Sequence, residues 1–360
     1  MADPRTSKPK LVDLVEALIA DIQHRRLQPG DRYLSAVDAT KLLGVSSGTA
    51  NRALQVLERR QIITRQQRRG AYIATLPSAE ALLLRRVHFL VHENYLTSEG
   101  VGNDFVLMGM QEQLPGVDVR ISFLPKDNAG QFVQKLIDQS LAEKARDGFV
   151  LVRAPHEVHQ VISDSGMPAI VYGCPYPGIP HLNRVDRDMV AIGTLAARYL
   201  LSRGHRCIAW LGRQQSLPGD HETLDAASDV LAEHGLSSSS LIFRAVPSSN
   251  VVAMEMIEQL LDLDEPPTGF LCRSQRSADA VAAVLKKRNE KLYSGCDVVL
   301  CDYYLLSGHR PQFVFPRPVH SSEVQGRYMA RNLDALARGE KVDDVIIPVE
   351  LDESAARAVA

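Results

Sequence analysis

From residue 86 onward the chain alternates short apolar runs with longer amphipathic ones, and this rhythm limits the possible folds more than any other feature. Residues 86–92, 117–124, 148–152 and 168–173 have the length and β-branched content of buried strands. Between them a helix ends near Gln113, and residues 131–144 and 156–165 carry apolar side chains at helical spacing. The pattern restarts with helices over 189–203, 221–234, 251–261 and 278–288, separated by strands at 207–211, 241–246, 268–272 and 297–301. A last crossover is expected from Phe313-Val314-Phe315, a helix over 321–338 and a strand-like run at 346–351. Repeated strand–helix units bury both faces of a parallel sheet. Two such series predict an α/β body of two lobes, with a ligand cleft between the carboxyl ends of their strands.

The first 75 residues follow other rules. Residues 35–43 can form a short helix with Ser35 as its N-cap, and Gly44 stands where that helix must stop. Ser46 can cap a second helix, whose Ala50, Ala53, Leu54 and Leu57 share one apolar stripe. Its other face carries Ser47, Thr49, Asn51, Arg52 and Gln55. An apolar back for docking and a polar front for phosphates and base edges is what a DNA-reading helix requires. A strand at 62–65, a basic turn at 66–70 and a return strand at 71–74 form a hairpin, with Arg65, Arg68 and Arg69 near its tip. Such a wing suits the sugar-phosphate backbone. Upstream, residues 11–22 form an amphipathic helix ending before Leu27-Gln28-Pro29-Gly30-Asp31.

Charge is partitioned in the same way. The whole chain of 360 residues carries −2, but residues 1–76 carry +6 and the remainder −8. Positive charge is thus concentrated where the DNA-reading helix is expected. Five cysteines, Cys174, Cys207, Cys272, Cys296 and Cys301, form no CxxC pair, and most lie in apolar runs, as small buried thiols of a reducing compartment do. No signal-type segment is present and no apolar run approaches the roughly 20 residues that span a bilayer. The expectation is a cytoplasmic protein without membrane contact.

Residues 9–75 resemble the winged helix-turn-helix of GntR-type regulators. The resemblance rests on Leu27, Pro29-Gly30-Asp31, Leu34-Ser35, Leu43-Gly44-Val45-Ser46, Gly48-Thr49, Ala53-Leu54 and Leu57. The chain departs from that pattern at Leu34, Val37, Ser47 and Arg68, and two of these positions hold DNA-contacting arginines in the family. Residues 86–360 resemble the effector domain of LacI/GalR-type regulators, which is similar to periplasmic sugar-binding proteins. Here the carriers are Val185-Asp186, Gly204-His205-Arg206 with the strand after it, Pro267-Thr268-Gly269 and Val298-Val299-Leu300-Cys301-Asp302. The combination resembles AraR-like transcription regulators. It implies a disordered tail at 1–8, a DNA-binding domain at 9–75, a linker at 76–85 and an effector-binding, dimerising domain at 86–360.

The resemblance further implies a homodimeric repressor on a palindromic DNA operator, modulated by a sugar or related metabolite, without cofactor, metal or catalysis. Ser35, Lys41, Ser46, Thr49, Arg65, Arg68, Arg69 and the wing residue Gly70 are expected on phosphates, and Ser47, Asn51 and Arg52 on base edges. Arg153, Asp186, Arg187 and Asp302 are expected to face the effector. Glu222 and Gln275 stand at positions where the family usually places an arginine and the Asn-Asp pair. These changes lead to the expectation that the cleft takes something other than a common free sugar, or has lost its ligand response.

Other motifs carry less. Gly44-Val45-Ser46-Ser47-Gly48 matches the nucleophile elbow GxSxG but follows a helix, not a strand, and reads as a helix cap. In Gly100-Val101-Gly102-Asn103-Asp104-Phe105 the third dinucleotide-binding glycine is Phe105. His156-Glu157-Val158-His159 is one residue short of HExxH, and His88 and His92 suit packing or the cleft better than a metal. Ser237-Ser238-Ser239-Ser240 reads as a loop tip. Two alternatives stay open: an enzyme with a GntR-type head and an aminotransferase-like body, and a ligand-blind DNA-binding protein.

Overall fold

The computed structural model describes residues 11–59, 62–66, 70–74, 84–92, 104–143, 146–288, 295–302 and 311–355. The tail at 1–8 and most of the linker lie outside them.

Three helices open the chain: α1 (Leu11–His24), α2 (Ala36–Leu43) and α3 (Ser47–Arg59). Ser35 begins α2 with a capping box, its Oγ accepting from the Asp38 N–H at 3.2 Å while Asp38 Oδ2 accepts from the Ser35 N–H at 3.3 Å. Gly44 closes the helix at φ +63°, a conformation that strains a residue with a side chain. Strands β1 (Ile63–Gln66) and β2 (Gly70–Ile73) pair antiparallel. The stretch before α2 joins the hairpin, Gly30 N–H donating to Ile73 O and Tyr33 N–H to Ala71 O, both at 2.8 Å. Leu18, Ile22, Leu54, Leu57 and Ile63 fill a core that belongs to this head alone. The stripe Ala50, Ala53, Leu54 and Leu57 is fully buried, as its spacing predicts.

The first lobe contains β3 (Arg86–His92), α4 (Asp104–Gln113), β4 (Asp118–Leu124), α5 (Ala129–Ala142), β5 (Asp147–Val152), α6 (His156–Ser165), β6 (Ala169–Tyr172) and β7 (Asn183–Arg187). The second contains α7 (Met189–Ser202), β8 (Ile208–Arg213), α8 (Pro218–Glu233), β9 (Leu241–Val246), α9 (Asn250–Leu261), β10 (Gly269–Cys272), α10 (Gln275–Lys287) and β11 (Asp297–Leu300). The chain finishes with β12 (Phe315–Pro318), α11 (Ser322–Ala337), β13 (Val345–Ile347) and β14 (Val349–Asp352). Six parallel strands in the order β13-β7-β6-β5-β3-β4 form one sheet, and four in the order β11-β10-β8-β9 the other. Helices cover both faces of each. In the first lobe α4 and α11 pack Val106, Met110, Met329 and Leu333 on one side, and α5 and α6 pack Val133, Ile137, Val158 and Ile162 on the other. Helices α7 and α8 lie on one face of the second sheet, with α9 and α10 on the opposite face.

Several boundaries differ from those read in the sequence. The apolar run at 346–351 is not one strand. Pro348 has no N–H to give a ladder, so pairing changes there: β13 lies beside β7 in the first lobe, and β14 pairs antiparallel with β12. Helix α8 starts at Pro218 instead of His221, because proline suits the first helical position. Helix α10 starts at Gln275 instead of Ala278, since Ser274 caps it through the Ser277 N–H. The strand expected at 313–315 lies at Phe315–Pro318. Between the lobes three crossings run side by side, Asp188 N–H donating to Ile347 O at 2.9 Å and Val319 N–H to Pro348 O at 3.0 Å.

Candidate functional site

The polar face of α3 stands on the head's surface. Ser47, Arg52 and Gln55 are exposed, and Thr49 and Asn51 half-buried. Ser46 caps the helix, its Oγ accepting from the Thr49 N–H at 3.3 Å, so the segment resembling a nucleophile elbow is a helix start. Lys41 is exposed near the end of α2. The Ser35 hydroxyl donates to Asp38 Oδ2 at 2.7 Å, and the Ser46 and Thr49 hydroxyls lie 2.9 Å apart, so these groups already have partners within the fold. Arg65 on β1 reaches back to α3, its guanidinium donating to Asn51 Oδ1 at 2.9 Å. Asn51 therefore presents only its NH₂ outward, and the paired contact with adenine expected from the sequence needs Arg65 to release it. Gly70 opens β2 at φ +102°. Arg68 and Arg69 lie outside the described residues.

In the body, the carboxyl ends of strands from both sheets face one cavity of about 60 Å³. Arg153 follows β5, Asp186 and Arg187 end β7, Arg213 ends β8, Arg273 follows β10, and Asp302 lies just beyond β11; all line the cavity. Arg153 is held at φ +51°, a left-handed conformation costing a side-chain-bearing residue ~1–2 kcal/mol. That strain aims its guanidinium across the cleft, where it donates to Asp302 Oδ2 at 2.8 Å. Arg187 donates to Asp302 Oδ1 at 2.6 Å, and Arg213 also pairs with Asp302. Asp220, from the first turn of α8, accepts from Arg213 and, at 2.8 Å, from Arg273. Arg153 and Arg187 belong to the first lobe and Asp302 to the second, so the network ties the lobes together.

Electrostatics follow from this geometry. Burial by itself would raise Asp302, but Arg187, Arg213, Arg153 and Arg273 outweigh it and hold the carboxyl well below its ordinary value. Asp220 is likewise lowered, Arg273 and Arg213 overcoming its burial. Asp186 behaves in the opposite way: burial pushes it up to about 6 in spite of Arg187. Its Oδ1 accepts from the Arg187 N–H at 2.8 Å, while Oδ2 is buried without a partner. His159, pushed down to about 4 by burial, is neutral, and Tyr176 meets its ring edge-on at 5.0 Å.

Four of the six residues expected at an effector therefore share one cavity: Arg153, Asp186, Arg187 and Asp302. The other two do not line it. Glu222 lies one helical turn along α8 and pairs with Arg184 at 2.9 Å, with Cys174 Sγ at 3.1 Å, making a second tie between the lobes. Gln275 is turned aside at the start of α10, its Nε2 donating to Asp279 at 2.8 Å. Sequence reasoning missed Arg213, Asp220 and Arg273. The signal for the two arginines was available, since each sits at the carboxyl end of an apolar strand run. His88 stacks on Phe149 and bonds Asp147 at 3.2 Å, a packed histidine. Among the described residues no group of His, Cys, Asp and Glu could hold a metal, and no helix is long and apolar enough to cross a membrane.

The sequence profile described as "Periplasmic binding proteins and sugar binding domain of LacI family" matches residues 104–355. The chain belongs to that family. A second profile, "Bacterial regulatory proteins, gntR family", matches residues 12–73, which are the head. Two curated relatives of this LacI-family chain are each 24% identical. Catabolite control protein A of Staphylococcus epidermidis aligns over 198 residues, 54% of this chain and 57% of the relative. HTH-type transcriptional regulator CelR of Thermobifida fusca aligns over 216 residues, 58% of this chain and 62% of the relative. The chain thus spans about three fifths of the length of the curated relatives it matches. A solved structure described as a transcriptional regulator CelR-cellobiose complex shares the fold, with TM-score 0.61 and 19% identity over 96% of this chain and 98% of its own. The Thermobifida fusca relative and the cellobiose complex are each described as transcriptional regulators.

Proposed function

We propose that this chain is a transcription regulator that grips DNA through its gntR-type head and adjusts that grip through a small molecule held between the two lobes of its LacI-type body. The observation that carries it is the pairing, in one chain, of an outward polar helix face on a cationic head with a cavity lined by charged groups from both lobes. On α3, Ser47, Arg52 and the NH₂ of Asn51 would meet base edges. Lys41, Arg65, Arg68, Arg69, Gly70 and the hydroxyl residues Ser35, Ser46 and Thr49 would lie along phosphates. Two heads on a symmetric homodimer would reach half-sites about one helical turn apart and so favour a palindromic operator. Ligand binding that favours one lobe arrangement would shift the dimer's geometry and the spacing of its heads. Repression is the simplest output of such an arrangement, since a dimer seated on an operator blocks transcription.

Gel shifts at two salt concentrations test the head. Arg52→Ala is expected to cost ~1–3 kcal/mol on the operator and to relax the preference at one base pair. Lys41→Ala is expected to weaken specific and random DNA alike and to lower the salt slope by about 1. Equal losses for both variants on both DNAs would refute this division of labour.

A further inference from the structure

The lobes are joined a second time outside the Asp302 network, and the geometry of that contact shows how the joint can open. Arg184 lies on β7 and Cys174 two residues past β6, both in the first lobe; Glu222 lies on α8 of the second. One terminal nitrogen of the Arg184 guanidinium donates to both Glu222 oxygens, at 2.9 and 3.1 Å, and stands 3.1 Å from Cys174 Sγ. The Cys174 thiol donates to Glu222 Oε1 at 3.1 Å. Nearer the start of α8, a Cβ placed on Gly219 would meet that of Cys174 at 3.7 Å, an ordinary contact. The start of α8 is therefore seated on the first lobe, with Cys174 in the seam and on the cavity wall.

Arg184 has a second carboxylate within reach, and this one belongs to its own lobe. Asp344, one residue before β13, accepts from the Arg184 backbone N–H at 3.0 Å. Its Oδ2 stands 3.7 Å from the Arg184 Nε, which makes no hydrogen bond. The guanidinium is thus drawn off Asp344 and across the seam to Glu222. If the lobes part, Glu222 leaves with α8 while Asp344 stays, and a small rotation gives the arginine its other partner. A charge with a partner in both arrangements is stranded in neither, which makes the contact a two-position element. The side chains of Arg184, Glu222 and Asp344 are 20, 33 and 46% exposed, so each pairing is weak. Such a pairing shifts a population severalfold and does not lock it.

We propose that Arg184 is a clasp between the lobes: paired with Glu222 it holds α8 down beside Cys174, and handed back to Asp344 it lets the lobes part and opens the cavity wall. The clasp rests on the regulator reading only for its consequence, since lobe arrangement there sets the spacing of the heads. Cys174 reports on it directly. Its thiol, pushed up to about 12 by burial and by Glu222, reacts slowly while α8 is seated. The test treats the full chain with iodoacetamide, without DNA, and reads each cysteine by peptide mass. Half-buried Cys207 serves as the reference, and buried Cys272 and Cys301 check folding.

Arg184→Gln is expected to label Cys174 about two- to fivefold faster than the parent. Asp344→Asn keeps the oxygen that accepts from the Arg184 N–H but removes the alternative charge, and is expected to slow labelling. Local electrostatics alone predicts the reverse of both. Arg184 favours the thiolate, so its loss would slow the reaction, and loss of a nearby carboxylate would speed it. Slower labelling in Arg184→Gln, or no change in either variant, overturns the proposal. Should Arg184→Gln also expose Cys272 and Cys301, Asp344→Asn at its exposed site decides alone, and faster or unchanged labelling overturns the clasp. Neither DNA nor effector enters the measurement, so that failure leaves the regulator reading standing.

Discussion

Asn51 and Asp186 show how one neighbour changes what a side chain can do. The asparagine has the donor and acceptor that adenine needs, yet Arg65 occupies its Oδ1 at 2.9 Å. Arg65→Ala removes a cation from the wing and frees that oxygen. Overall DNA affinity is expected to fall while preference for adenine at the Asn51 position rises, read by competition gel shifts with base-substituted operators. A uniform loss across all substituted operators would contradict this. Asp186 has its carboxyl pushed from the ordinary 3.8 to about 6, so between these values the folded chain binds a proton that the unfolded chain releases. Its contribution is fully present below the ordinary value and is lost as pH rises through about 6. Asp186→Asn is therefore expected to stabilise the chain at pH 8 by up to about 3 kcal/mol, with the gain vanishing in acid as the parent carboxyl protonates. Urea melts of both proteins at each pH read the difference, and Asp302, common to both, cancels.

At the scale of elements, glycines set how closely helices approach. In the first lobe α4 and α11 cross where Gly109 faces the Glu323 carbonyl and Gly326 faces that of Val106; a Cβ on either glycine would overlap that oxygen. Gly193 of α7 meets the Thr223 carbonyl of α8 in the same way in the second lobe. Gly326→Ala is expected to destabilise the body by ~1–3 kcal/mol, since backbone cannot yield as a flexible side chain does. A urea midpoint equal to the parent's would show that the crossing opens freely. Such contacts were not legible in the sequence, because a glycine inside a helix pattern names no partner. The elements themselves were. The stripe on α3, the caps at Ser35 and Ser46 and the strand runs ending at Leu124, Val152 and Val246 lie where spacing placed them, because periodicity and capping are local. The Pro348 break was misread because β13 takes its partner, β7, from the middle of the chain, and β14 takes β12 from near its end, pairings that the local pattern does not show.

On the scale of the whole molecule, Asp302 is the point through which the lobes are joined. Asp302→Asn leaves three guanidiniums around a neutral amide and is expected to cost the body ~3–5 kcal/mol. The head has its own core and should melt as in the parent. Differential scanning calorimetry separates the two, and a single transition moving as one would show that head and body unfold together. By itself the sequence determined the division into a cationic head and an α/β body, the faces that each helix and strand bury, and the presence of a cleft at the strand ends, since all of these follow from local periodicity and charge. It placed Arg153 at that cleft because the apolar strand run before it visibly stops, and Asp186, Arg187 and Asp302 through the resemblance to LacI/GalR-type regulators. Only the tertiary structure decided that Arg213, Arg273 and Asp220 join them, that Glu222 and Gln275 turn aside, and that Arg65 holds Asn51. Those outcomes depend on which side chains the fold turns toward one another, from neighbours on one helix such as Gln275 and Asp279 to groups on different elements such as Arg213 and Asp302, and on how much water is left between them.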